Sequence, residues 1–220
     1  MTLRWQWLIL VGLLALAAGL GVALQREAPA RPLVSALWLE NPRPLPPFEL
    51  VSQSKGQFTN EQLEGRWTLL FMGFTACPDV CPTTLSDLAR VYDTLRVELT
   101  EAPLQVVLMS VDPGRDSPDR LASYIRFFNP EFKAITGDHG QLYQLSQALG
   151  LVYQLVDNPN GDGSGEDYLV DHSADIVLIN PDGELEAIFR PEGGVGEIRR
   201  VSMARLKADY PVITTYRGNE

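Results

Sequence analysis

Two cysteines occur in the 220-residue chain, four positions apart in Phe74-Thr75-Ala76-Cys77-Pro78-Asp79-Val80-Cys81-Pro82. The pair follows the apolar run Leu69-Leu70-Phe71-Met72 and precedes a long amphipathic stretch, so the thiols sit where a buried strand hands over to a helix. At a helix start, side chains at i and i+4 point the same way, with Cβ atoms about 5–6 Å apart. That spacing suits a soft metal ion shared by two thiolates, and it also lies near the range in which a disulfide closes. First-turn amides and the helix dipole favour thiolate over thiol.

A third donor has to come from the histidines, of which there are two. His172 lies in Asp171-His172-Ser173-Ala174-Asp175, immediately before the apolar run Ile176–Asn180. A dithiol at a strand-to-helix junction is the thioredoxin arrangement, and there the loop before the corresponding later strand faces the dithiol. His172 is thereby brought within reach of Cys77 and Cys81, and two thiolates with one imidazole form a trigonal set suited to copper. Asp171 and Asp79 adjoin ligands in the chain and are candidates for orienting them, with a solvated loop carboxylate the competing reading for Asp79. His139, in Gly137-Asp138-His139-Gly140, reads as a solvated residue at a helix start capped by Asp138. In Val111-Asp112-Pro113 with Arg115 and Asp116, turn chemistry competes with a shaped surface near the dithiol used for docking or for holding the metal loop, and Asp112 stays open between the two.

To hold such a site the chain needs strands and helices in alternation, and the hydrophobic pattern supplies them. Phe48–Val51, Gln57–Phe58, Trp67–Phe74, Leu104–Val111 and Phe132–Ile135 read as strands. Thr59 caps a short helical turn through Leu63. Pro82–Leu99 reads as a helix, with Leu85, Leu88, Tyr92, Leu95 and Leu99 at helical spacing and Pro82 in its first turn. Ser117 and Pro118 open a second helix to Phe128, and Asp138 caps a third that runs to Ala148 and stops at Gly150. Leu151–Val156 with Tyr168–Val170, and Ile176–Asn180 with Leu185–Phe189, read as hairpins, and Gly193–Ala208 as a closing helix. The pattern points to an α/β class with a central mixed sheet flanked by helices, and the dithiol at a strand-to-helix junction makes it resemble a thioredoxin-like fold.

Ahead of this domain, Trp7–Leu24 is an apolar run of 18 residues flanked by Arg4 and Arg26. It is short for a membrane span, long for a signal-peptide core, and oriented to keep the N-terminus in the cytoplasm. The expected organisation is a transmembrane anchor or signal segment over 1–26, a proline-rich linker over 27–47 and the thioredoxin-like domain over 48–220. That places the domain on the periplasmic, non-cytoplasmic side of a bacterial-type inner membrane. An exported domain normally pairs its cysteines as staples, but a disulfide over so short a loop constrains the unfolded chain little, which favours a functional pair. The net charge of −10 argues against nucleic-acid binding, which needs a basic footprint.

Three motifs in order carry a resemblance. They are Gly73-Phe74-Thr75-Ala76-Cys77-Pro78-Asp79-Val80-Cys81-Pro82-Thr83-Thr84-Leu85, Ser110-Val111-Asp112-Pro113-Gly114-Arg115-Asp116-Ser117-Pro118 and Tyr168-Leu169-Val170-Asp171-His172-Ser173. Together they resemble the Sco/SenC family of copper chaperones, over about Pro46 to Tyr210. The resemblance implies a membrane-anchored, thioredoxin-like protein with copper, Cu(I) or Cu(II), held by Cys77, Cys81 and His172. It also implies a partner, the copper-accepting subunit of cytochrome c oxidase, and a metallochaperone rather than an enzyme. Oxidation of Cys77 and Cys81 to a disulfide would abolish the site. The alternative is a thiol–disulfide reductase that maintains the cysteines of that subunit and does not need His172. A peroxidase of the thioredoxin superfamily ranks low, because Phe74 stands where it needs Thr or Ser.

Overall fold

In a computed structural model of the protein, the described residues are 7, 8, 10–16, 31–97, 102–158, 168–194 and 198–217. The chain divides into two units, Met1–Leu33 and Val34–Glu220. In the first, residues 7, 8 and 10–16 are helical and exposed, and no described helix is long and apolar enough to cross a membrane. Residues 1–6, 9 and 17–26 of the anchor expected over 1–26 lie outside the described residues, and the described helices contain no counterpart of it.

The strands of the second unit are β1 (Leu37–Pro44), β2 (Glu49–Ser52), β3 (Gln57–Thr59), β4 (Trp67–Gly73), β5 (Leu104–Ser110), β6 (Lys133–Thr136), β7 (Tyr153–Asp157), β8 (Tyr168–His172), β9 (Ile176–Ile179) and β10 (Glu184–Phe189). Its helices are α1 (Val80–Val97), α2 (Pro118–Phe128), α3 (His139–Ala148) and α4 (Met203–Arg217), with a 3-10 turn over Asn60–Gln62. Among the described residues eight strands form one sheet in the order β1-β10-β9-β4-β5-β6-β2-β3, and β7 and β8 form a separate ribbon. β4, β5 and β6 run parallel, β9 pairs antiparallel with β4 and β10 antiparallel with β9, so the sheet is mixed as expected.

β4 and β5 sit at the centre because every residue in them is buried, which only a sheet covered on both faces allows. Alternate residues of β4 serve the two layers. Trp67, Leu69 and Phe71 pack with Leu85 and Leu88 of α1, Leu121 of α2 and Tyr210 of α4. Leu70 and Met72 pack with Leu142 and Leu145 of α3 and with Phe48 and Leu50. The anticipated caps are present: Ser117 Oγ accepts from Arg120 N at 3.3 Å, and Asp138 accepts from Gly140 N and Gln141 N at 3.0 and 3.1 Å.

Two expectations need correction. The proline-rich stretch expected to be a linker contains β1, an edge strand paired with β10 through a register shift between Trp38 and Arg43. Pro42 and Pro44 are tolerated there because an edge strand leaves one row of backbone groups unpaired in any case. Trp38 secures it: its Nε1 donates to buried Glu186 Oε1 at 2.8 Å, and its ring meets Tyr216 edge-on. Just before β1, Asp209 of α4, 7 % exposed, accepts from Ser35 N, Ser35 Oγ and Ala36 N at 2.9, 2.5 and 2.9 Å. The closing helix begins at Met203, not Gly193, because glycines at 193, 194 and 196 disfavour helix. It runs past Pro211 to Arg217, held by buried Leu206, Tyr210 and Ile213 against the core.

Candidate metal centre

The turn between β4 and α1 is built so that one sulfur is fully buried and the other only half-buried. Cys77 precedes the helix instead of lying within it: its N–H donates to Phe74 O at 3.3 Å, and its Sγ accepts from Cys81 N at 3.4 Å. The Cys77 sulfur thus stands at the helix N-terminus as a cap would, where free amides stabilise a thiolate. Cys81 lies in the first turn of α1 and is fully buried, while Cys77 is half-buried. Gly73 makes room for it: a Cβ there would meet Cys81 Sγ at 2.8 Å and Leu108 and Phe71 at 3.3 Å. Both thiols are free.

His172 closes β8 and points into the same place. Its Nε2 lies 3.6 Å from Cys81 Sγ, and its Nδ1 lies 2.9 Å from the Ser173 carbonyl. A ring nitrogen facing a carbonyl carries the proton, which leaves the Nε2 lone pair toward sulfur. Phe71 and Phe74 meet the imidazole edge-on, with centroids 6.2 and 5.7 Å away. The donor atoms of Cys77, Cys81 and His172 all lie within 4.8 Å of one another. Ligand bonds of about 2.0–2.3 Å meeting in a trigonal plane require separations of about 3.5–4 Å, so a soft ion fits with small adjustments.

Electrostatics divide the two sulfurs. The hydrogen bond from Cys81 is the main cause that pulls the Cys77 thiol far below the ordinary range; burial opposes it, and the backbone amides of Asp79 and Cys81 add to it. Cys81 moves the other way, pushed up first by its hydrogen bond to Cys77, then by burial and by the neighbouring negative charge. The two sulfurs are thus driven apart, half-buried Cys77 toward the thiolate and buried Cys81 toward the thiol.

The neighbours of the ligands divide differently from the order of the sequence. Asp79 has an exposed carboxylate and acts through its backbone: its amide supports the Cys77 sulfur, and its carbonyl accepts from Thr83 N and Oγ1 at 3.2 and 2.8 Å. Asp171 alternates with His172 along β8, is exposed, and accepts from Gln154 Nε2 at 3.4 Å, away from the donor cluster. His139 is exposed and pairs with Tyr153 OH at 3.1 Å through Nδ1.

Sequence reasoning missed the bonds made by Thr75 and by the hydroxyl of Tyr168, and it weighed Asp116 only as part of a surface near the dithiol. Asp116, fully buried, accepts from Thr75 N, Thr75 Oγ1 and Ser110 Oγ at 2.8, 2.5 and 2.6 Å. Asp112, equally buried, accepts from Tyr168 OH and, at 2.5 Å, from Arg115 Nε. These partners stand 41 and 56 residues apart in the chain, and an Asp-Pro-Gly turn gives no local hint of either.

Fold and site together define a class: an α/β domain whose central strand leads into a dithiol, met by one imidazole from a later strand. A family model for SCO1/SenC matches residues 39–205. A Stutzerimonas stutzeri protein, named as a candidate copper-binding protein, is 41% identical over 201 residues, covering 91% of this chain and 93% of its own. The crystal structure of Arabidopsis thaliana ScoI with copper bound superposes with a TM-score of 0.64 at 28% identity, over 79% of this chain and 98% of that one. The solution structure of apo Sco1 from Thermus thermophilus gives 0.62 at 30% identity, over 86% and 98%. The chain belongs to the SCO1/SenC family.

Proposed function

We propose that this protein binds copper through Cys77, Cys81 and His172 and delivers it to the copper-accepting subunit of cytochrome c oxidase. The observation that carries this reading is the convergence of two sulfurs and one imidazole nitrogen within 4.8 Å. Soft thiolates select Cu(I) over hard cations, and a single imidazole suits either oxidation state of copper. A set of only three donors leaves room for a thiolate of the receiving protein to join before one leaves, so the ion passes without being released to water. Half-buried Cys77 is the sulfur on the accessible side. Copper-bound and copper-named relatives support the choice of metal.

The domain is read as thioredoxin-like, tethered through residues 1–26 to the inner membrane and facing the periplasm. The apolar run Trp7–Leu24 between Arg4 and Arg26 supports that placement. A second reading, thiol–disulfide reductase for the same oxidase subunit, draws on the asymmetry of the cysteines. An ionised surface sulfur beside a protonated buried one is suited to attack and resolution of a disulfide.

The deciding experiment is anaerobic copper titration of the reduced full chain against a Cu(I) chelator, with Cys77→Ser, Cys81→Ser and His172→Ala in parallel. Copper delivery requires one ion per chain in the wild type, about 1 equivalent, loss of binding in both serine variants and weakened binding in His172→Ala. Reduction of a disulfide in a peptide carrying the acceptor's cysteines, unchanged in His172→Ala while the wild type takes up no copper, would favour the reductase instead.

A further inference from the structure

The turn that follows β5 contains two carboxylates with no exposed surface, and they face opposite halves of the donor set. Asp116 receives both the amide and the hydroxyl of Thr75, which stands two residues before Cys77. Asp112 receives the hydroxyl of Tyr168, which begins the strand that ends at His172. Arg115 completes this second attachment: it pairs with Asp112, donates from Nη1 to Tyr168 O at 3.1 Å, and lies 4.1 Å over the Tyr168 ring. The turn itself is tied by Arg115 N and Asp116 N, both donating to Asp112 O, at 3.2 and 2.9 Å. Val111 N donates to Gly73 O at 3.0 Å, which fixes its root to the strand that leads to the cysteines.

Buried carboxylates are retained only with strong donors, and charge-assisted bonds of this kind hold geometry tightly. The attachment matters for β8, because the β7–β8 ribbon has no ladder to the main sheet among the described residues. A lone two-stranded ribbon is marginal in water and takes its position from what it leans on. At the His172 end the ribbon is tied by residues 173–175 to β9; at its other end the polar contacts of Tyr168 run to Asp112 and Arg115.

We propose that the 112–116 turn is a two-ended bracket in which Asp116, through Thr75, sets the sulfur side of the site and Asp112, through Tyr168 and Arg115, sets the imidazole side. These are positioning residues: none reaches the donor atoms, yet one turn fixes the distance between sulfur and nitrogen. The proposal rests on the three-donor reading given above. It assigns a role to Asp112, Arg115, Asp116, Thr75 and Tyr168 beyond the ligands themselves.

Two hydroxyl deletions in the full chain test it, each sparing the ring or the branch that packs. In Tyr168→Phe, the metal-free His172 ring protons shift in NMR as the imidazole leaves the edges of Phe71 and Phe74, while the alkylation rate of Cys77 stays at the wild-type value. In Thr75→Val the reverse holds: Cys77 alkylation changes severalfold, the His172 resonances stay, and Thr75→Ser restores the rate. Cu(I) affinity falls about 10-fold or more in Tyr168→Phe and in Thr75→Val, the size expected when a ligand loses its outer support. X-ray absorption of the loaded Tyr168→Phe protein loses the imidazole contribution and keeps that of sulfur. Equal movement of both metal-free readouts in both variants, or of neither, overturns the bracket. Failure of the wild type to bind copper overturns the proposed function instead, and the metal-free readouts still decide the bracket.

Discussion

Cys81 packs against β4, a strand buried at every residue, whereas His172 ends one strand of a ribbon whose residues are all exposed or half-buried. The sulfur side is thus part of the core. The nitrogen side is attached to that core by the packing of Val170 and Tyr153, by a few side-chain bonds and by short connections to α3 and β9. A rigid thiol turn and a lightly held imidazole suit a site that must bind an ion firmly and then let it go. The same division tells which residues are costly to change for folding and which for binding alone.

Hydrogen exchange gives the largest contrast. Amides of β4 and β5 should exchange only on global unfolding, typically ~5–15 kcal/mol for a domain, and those of β7 and β8 by local opening at a small fraction of that. Mass spectrometry of the exchanging full chain reads both; equal protection of ribbon and core would erase the distinction. The cysteines should differ next. Near neutral pH Cys77 reacts with iodoacetamide and Cys81 does not, because the first is held far below the ordinary thiol range and the second above it. As pH falls from about 9 to 5, an ordinary thiol loses reactivity, while Cys77 keeps its rate until its own depressed pKa is reached. A Cys77 rate that climbs with pH like that of a free thiol would refute this ordering. The smallest effect expected is that of Gly73→Ala. Its added Cβ would press on Cys81 Sγ, Leu108 and Phe71, costing about 1–3 kcal/mol in urea denaturation, with protection of the ribbon unchanged.

Much of the core was legible because its signals are local. Runs such as Leu69-Leu70-Phe71-Met72 read as buried strands, and Ser117-Pro118 and Asp138 announce helices by their own chemistry. The convergence of Cys77, Cys81 and His172 was legible because a strand-to-helix dithiol limits where a later strand can arrive. β1 was not: its prolines look like a linker, and its ladder partner is the distant strand Glu184–Phe189. Asp112 and Asp116 were legible only as a choice between a turn and a surface that holds the metal loop, since a turn aspartate that reaches solvent and one that holds a strand 56 residues away look alike in sequence. Adjacency misled at Asp171, where strand alternation turns the neighbour of a ligand outward.

The clamp of Ser35 and Ala36 on Asp209 has a mechanical consequence. Tension arriving along the chain from residues before Val34 meets three bonds to one nearly buried carboxylate before it reaches the ladder between β1 and β10. Charge-assisted bonds loaded together resist as a group, whereas ladder bonds peeled from an edge yield one at a time. The pull is passed into α4 and the helical layer, and the open edge of the sheet is spared.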